Sequence, residues 1–126
     1  INPILTHFCK RLTSIQQADV DSAGTYADVG QELGVFIARY PNAAWASWGD
    51  YDARQLERDA GFAACPSLLS GLQHFNVRKW HKGLYDNQPK GLKQTVEAMG
   101  LVWLGTYHQG IDDARNLASI VKEMLS

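Results

Sequence analysis

No apolar run in this 126-residue chain approaches the length of a bilayer-spanning helix, so a transmembrane helix is excluded. Cysteine is scarce. Cys9 and Cys65 form no Cys-x-x-Cys pair and no Cys/His cluster, which excludes zinc-finger spacing and a disulfide framework. Two reduced thiols in a cytoplasmic protein are expected. The opening Ile1-Asn2-Pro3 carries no basic-then-apolar signal pattern. It also lacks an initiator methionine, so a fragment or processed product is expected. A basic excess is missing too: 12 Lys and Arg meet 13 Asp and Glu, for a net charge of −1. A dedicated duplex binder usually carries a surplus of cations. A small enzyme gripping a few nucleotides needs only a local patch, and an acidic metal site would itself lower the net charge. Repeats, low-complexity tracts and linkers are absent, so one domain is expected.

What is present is an ordinary globular composition, 45% hydrophobic, enough for a core without staples. Residues 1–23 read as irregular, with one helical turn near 16–20. Residues 25–40 read as helix, capped by Thr25 with Asp28 three residues on. Tyr26, Val29, Leu33, Phe36, Ile37 and Tyr40 share one face of it. The short apolar run 43–48 suits a buried strand. Residues 52–60 read as helix stopped by Gly61, residues 66–72 as a short helix, and 75–80 as a second strand. Residues 91–99 form a helix with Leu92, Val96 and Met99 inward. The last helix, 111–125, carries Ile111, Leu117, Val121, Met124 and Leu125 on one face. Alternating strands and helices indicate the α/β class with partly parallel strands. Two strands are too few for a stable sheet, so part of it is expected to be missing.

Two stretches could carry chemistry. In Tyr107-His108-Gln109-Gly110-Ile111-Asp112-Asp113, a loop histidine precedes a helix whose first turn is acidic. A carboxylate there can bind a divalent cation, and an imidazole can take a proton at neutral pH. Equally, the two aspartates answer the helix macrodipole and the histidine is a plain loop residue. In Ser47-Trp48-Gly49-Asp50-Tyr51-Asp52, acidic residues follow a strand, where α/β sheets gather their ligands. Helix capping explains them as well.

Taken together, the stretches resemble a known family. WGDYDARQLE, residues 48–57, is similar to the second motif of DEDDh 3′→5′ exonucleases. HQGIDDARNLA, residues 108–118, is similar to the third, a histidine followed five positions later by aspartate. Phe8-Cys9-Lys10-Arg11-Leu12-Thr13-Ser14-Ile15, the ending IDDARNLA, and Asn76-Val77-Arg78-Lys79-Trp80 resemble the Eri-type, histone-mRNA-processing branch. The likeness covers nearly the whole chain in the family's order.

The resemblance implies a ribonuclease H-like three-layer α/β fold, with residues 1–126 as the C-terminal part of a single exonuclease domain. It implies 3′→5′ hydrolysis of single-stranded RNA or DNA, releasing nucleoside 5′-monophosphates. Four acidic side chains would hold two Mg2+ or Mn2+ ions, with a histidine as general base. Asp52, directly after the aromatic Tyr51, matches the second-motif metal ligand, and Asp50 is read as a neighbour. Asp113 matches the third-motif ligand by its spacing from His108, which matches the general base. Asp112 is expected to point elsewhere. Leu12 and Thr13 would lie against the terminal nucleotide, with Ser14 replacing the usual glycine, and Tyr51 could stack on a base.

One departure is large. The family's first motif, Asp-x-Glu, does not occur upstream of Asp52; Asp19 and Asp21 make only an Asp-x-Asp. The segment before Ile1 is expected to hold three antiparallel strands and that motif. The chain alone should then be inactive, with exposed apolar helix faces unless that segment or another chain completes the sheet. The expected partner is a single-stranded nucleic acid 3′ end, not a membrane. Two other readings stay open: a catalytically incomplete relative acting as a nucleic-acid-binding or dimerisation module, and a generic α/β domain whose acids cap helices.

Overall fold

The computed structural model describes residues 3–126; Ile1 and Asn2 lie outside the described residues. In chain order the elements are α1 (His7–Thr13), α2 (Gln17–Asp21), α3 (Tyr26–Ile37), β1 (Trp45–Ser47), α4 (Tyr51–Ala63), β2 (His74–Asn76), α5 (Val77–Tyr85), α6 (Leu92–Ala98) and α7 (Gly110–Met124). They divide into two compact units. One comprises the described residues up to Ala23 with Lys90–Ser126; the other is Gly24–Pro89.

The Gly24–Pro89 unit is a strand–helix–strand motif with helices before and after it. β1 and β2 run parallel, pairing Trp45 with His74, Ala46 with Phe75 and Ser47 with Asn76. Two side-chain contacts reinforce the pair. The Trp45 and His74 rings lie 4.2 Å apart. The buried Ser47 Oγ donates to the Gly49 carbonyl and lies 2.8 Å from His74 Nε2. A hydroxyl has one proton, so His74 must supply the other and carries its own on Nε2. α3 begins at the expected capping box, with Thr25 and Asp28 bonded reciprocally. Tyr26 Oη donates to the Leu56 carbonyl and accepts from the Leu68 amide, tying α3 to α4 and to the following turn. Only Tyr26, Leu33 and Ile37 of the expected apolar face are half-buried; Val29, Phe36 and Tyr40 are exposed.

Three expectations for this unit are corrected. The second strand does not run to residue 80. Asn76 accepts the Lys79 amide and caps α5, so the chain turns helical at Val77 despite its β-forming residues. α4 passes through Gly61 and ends where Ala64 adopts a left-handed cap at φ 50°. Residues 66–72 make only turns, held by amides three residues apart and by Tyr26 on Leu68.

In the other unit, residues 7–21 are two short helices rather than one turn in an irregular stretch. Thr6 caps α1, and Gln16 with Asp19 forms a capping box for α2. Ser14 closes α1 in the left-handed conformation, φ 63°, which favours glycine. The core lies between α6 and α7, where Val96 and Ile120 are fully buried. Burying each contributes about 1.5–3 kcal/mol. The buried stripe of α7 is Asp112, Asn116, Ile120 and Met124, every fourth residue. Ile111 and Leu125, expected inward, are exposed. The face is rotated because its first half is polar and bonds a loop.

Candidate active site

That loop is 104–109, and α7 holds it by two side chains. Asn116 is fully buried. Its Nδ2 donates to the Leu104 and Asp112 carbonyls, each at 2.8 Å, and its Oδ1 accepts the Leu104 amide at 3.0 Å. It thus satisfies both backbone polar groups of Leu104 from a fully buried position. Asp112 acts next along the loop. One carboxylate oxygen accepts the Thr106 amide at 2.8 Å and the other meets Arg115 Nη1 at 3.0 Å. Gly105, at φ 76°, lies against that carboxylate so closely that a Cβ would collide with it. Glycine is required there on both counts.

Two residues beyond Thr106 comes His108, exposed and in the left-handed region at φ 68°. Its ring lies 3.9 Å from that of Tyr107, which meets Trp103 edge-on at 5.2 Å and lies 5.7 Å from Lys93 Nζ. The aromatic stack restricts the imidazole while neither ring nitrogen has a hydrogen-bond partner among the described residues. Asp113 follows in the first turn of α7. Its Oδ1 is buried and has no hydrogen-bond partner among the described residues. The adjacent aspartates therefore differ: Asp112 is committed to the loop, and Asp113 carries an unsatisfied oxygen. Leu12 and Thr13 belong to the same unit, at the end of α1. Leu12 is exposed, whereas the Thr13 hydroxyl donates to the Cys9 carbonyl and accepts the Ile15 amide.

Asp52 and Tyr51 lie in the Gly24–Pro89 unit, at the start of α4, both exposed. Asp52 has no hydrogen-bond or ion-pair partner among the described residues. Asp50 differs again. It bonds Lys79 Nζ at 2.9 Å and Asn76 Nδ2 at 2.7 Å. The Lys79 contact first, and the Asn76 amide second, hold its carboxyl below the usual aspartate range. So occupied, it makes no side-chain cap for α4. Among the described residues, no three His, Cys, Asp or Glu side chains gather to hold a metal ion.

Sequence reasoning singled out His108, Asp113 and Asp52 and did not see that Asp112 and Asn116 hold the loop. Their signal was the spacing of four residues between two polar side chains on an otherwise apolar stripe.

Comparison with known proteins agrees with the sequence resemblance. Residues 2–121 match the exonuclease family of the ribonuclease T type. The chain is 32% identical over 156 residues to the 3′-5′ exonuclease eri1 of Schizosaccharomyces pombe, spanning all of this chain and 52% of that protein. It is 30% identical over 132 residues to the human ERI1 exoribonuclease 3, covering 98% of this chain and 39% of that one. The chain thus spans about half, or less, of the length of these relatives. Among solved structures it resembles the nuclease domain of 3′hExo, a DEDDh family member bound to rAMP. The TM-score is 0.88 at 25% identity, over 96% of this chain and 64% of that one. The fold is accordingly ribonuclease H-like, with a sheet of two strands among the described residues. The chain belongs to the ribonuclease T-type exonuclease family, in its Eri-type DEDDh branch.

Proposed function

We propose that the full-length protein is a 3′→5′ exonuclease that hydrolyses single-stranded RNA, or DNA, and releases nucleoside 5′-monophosphates. The observation that carries this reading is the Asp113 Oδ1 in the first turn of α7, buried and without a partner among the described residues, close in sequence to the exposed His108 of the preceding loop. A buried carboxylate oxygen without a donor is costly unless a cation balances it. Carboxylate oxygen is the ligand that Mg2+ and Mn2+ prefer, so Asp113 fits such an ion. Asp52, exposed and unengaged, is proposed as a second ligand on the family resemblance of its motif alone. When bound, the two ions supply electrostatic stabilisation to the charge that develops on the phosphate oxygens.

The chain's own residues do the rest. His108 accepts the proton of the attacking water, as a neutral imidazole can near pH 7. The stack on Tyr107 limits the directions from which it does so. Leu12 offers an apolar contact to the terminal nucleoside. Thr13 has its hydroxyl occupied and meets substrate through its methyl group and backbone. Tyr51, 67% exposed, presents a ring on which a base can stack. RNA is favoured by the names of the relatives, an exonuclease of the eri1 type and an exoribonuclease.

The missing carboxylates are proposed to come from an Asp-x-Glu on strands upstream of Ile1, or from another chain completing the sheet. The exposed Val29, Val35 and Phe36 of α3 and Phe62 of α4 support a covering segment of that kind. The free thiols of Cys9 and Cys65 fit a cytoplasmic setting. The absence of a three-ligand group among the described residues favours one other reading, a catalytically incomplete module that binds nucleic acid or dimerises.

The test is digestion of a 3′-labelled single-stranded RNA by the full-length protein with Mg2+, beside Asp113→Ala. Stepwise release of mononucleotides, lost in the variant, is expected. No release from RNA or DNA by folded, metal-loaded protein would favour the non-catalytic module.

A further inference from the structure

Beside the start of α4, the Gly24–Pro89 unit has an open cleft of about 340 Å3 whose wall is strongly basic. Arg54, Arg78, Lys79 and Lys82 line it, with Asp50 as the sole acidic residue. The segregation is marked. Four of the six Lys and Arg residues between Gly24 and Pro89 line this cleft, against one of the seven Asp and Glu. The unit as a whole is slightly acidic, so the positive field is local.

The cations are only partly neutralised within the cleft. Asp50 takes up Lys79 at 2.9 Å and is itself held by Asn76. Arg78 donates from Nε and Nη2 to the Pro89 carbonyl, at 3.2 and 3.0 Å, a neutral partner that fixes the direction of its guanidinium. Arg54 and Lys82 have no hydrogen-bond or ion-pair partner among the described residues. Four cations thus face one concave space that holds a single carboxylate, Asp50, which leaves the cleft with a net positive charge. Guanidinium forks suit the paired oxygens of a phosphate.

We propose that this cleft binds a backbone phosphate of the single-stranded nucleic acid, with Arg54 and Lys82 as its direct ligands and Arg78 as a pre-oriented third. The inference rests on the nucleic-acid reading above and adds a second contact to it. Arg54 stands two residues from Asp52 on α4, a spacing that turns the two side chains to different faces of the helix, so the cleft is a contact distinct from that carboxylate. The residues carry affinity without sequence preference, because phosphate contacts position a strand and do not read bases.

The experiment measures binding of a fluorescein-labelled single-stranded oligoribonucleotide of about 12 nucleotides, a typical single-strand site size. It uses the full-length protein in EDTA, so that no cleavage occurs, over a range of salt concentrations. The Arg54→Gln/Lys82→Gln variant is compared with Arg39→Gln/Arg58→Gln, which removes the same charge outside the cleft. The expected result is about a tenfold loss of affinity in the first variant and a salt slope shallower by about 0.7 for one phosphate contact. The second variant is expected to stay within about twofold of the parent. Equal loss in both variants, or in neither, overturns the cleft, as does a parent that binds no oligonucleotide. Polyglutamate of matched charge that displaces the RNA and depends on the same two residues assigns the cleft to an acidic peptide and also overturns it. A parent that binds as expected but releases no mononucleotide with Mg2+ leaves the cleft standing and removes the exonuclease reading. Digestion by a parent whose binding ignores Arg54 and Lys82 does the reverse.

Discussion

Replacing Asn116 by alanine tests whether the His108 loop is held from α7. The substitution removes three hydrogen bonds, two from Nδ2 and one to Oδ1. Each contributes about 0.5–1.5 kcal/mol net, and the Leu104 amide and carbonyl are left without their partner. The site is fully buried, so the lost volume is not refilled by water at no cost. A destabilisation of about 3 kcal/mol follows, or about 10 °C in Tm for a domain of this size. Urea melts of the full-length protein, followed by circular dichroism, read it directly. Ser119→Ala is the matched control: Ser119 makes a single bond to the Arg115 carbonyl at the surface, and its loss should cost under about 0.5 kcal/mol. The variant should also lose about tenfold in nuclease rate at temperatures where it stays folded, because a slackened 104–109 segment misplaces the imidazole. A destabilisation below about 1 kcal/mol with unchanged activity would show that the loop is held by something other than Asn116.

Three further outcomes follow from the same structure. His108→Asn should cost about a hundredfold or more in rate with little change in stability, since the ring is exposed and asparagine tolerates φ 68°; single-turnover digestion beside a thermal melt checks both. Ser14→Gly should stabilise by about 1 kcal/mol, because Ser14 occupies the left-handed region at φ 63° without need of its side chain for the helix cap; urea midpoints decide it. His81 is buried, and burial lowers its pKa against a weaker opposing pull from Asn87. Its depressed value means that the unfolded chain takes up a proton near pH 6.5 that the folded one refuses, so stability should fall as pH drops below about 6.5. His81→Leu should flatten that dependence in urea melts at pH 7.5 and 5.5, and an unchanged slope would refute the assignment.

The helices α3, α6 and α7 were legible because their apolar residues repeat at helical spacing. So were the places of Asp52 and Asp113 in the first turns of α4 and α7 and of His108 in the loop before α7. The start of α5 was not, because Phe75 and Val77 favour a strand while the deciding contact is the Asn76 cap on Lys79. The rotated face of α7 was hidden for a related reason. Its polar members, Asp112 and Asn116, are buried only because a loop several residues upstream folds back on them. The basic cleft shows the limit most clearly. Arg78 to Lys82 reads as a solvated run, and only the crossover from β1 to β2 brings Arg54 to face it.

That crossover also bears on how the chain folds. Trp45 and His74 are 29 residues apart in sequence, yet each strand is only three residues long. Closing such a loop costs about 3 kcal/mol in chain entropy, more than so short a parallel ladder returns by itself. The pairing therefore depends on helices formed earlier and on the Trp45–His74 stack and Ser47–His74 bond that lock it afterwards. β1 and β2 should join late, with their amides slow to gain hydrogen-exchange protection during refolding, and a change at Ser47 should speed unfolding more than it slows folding.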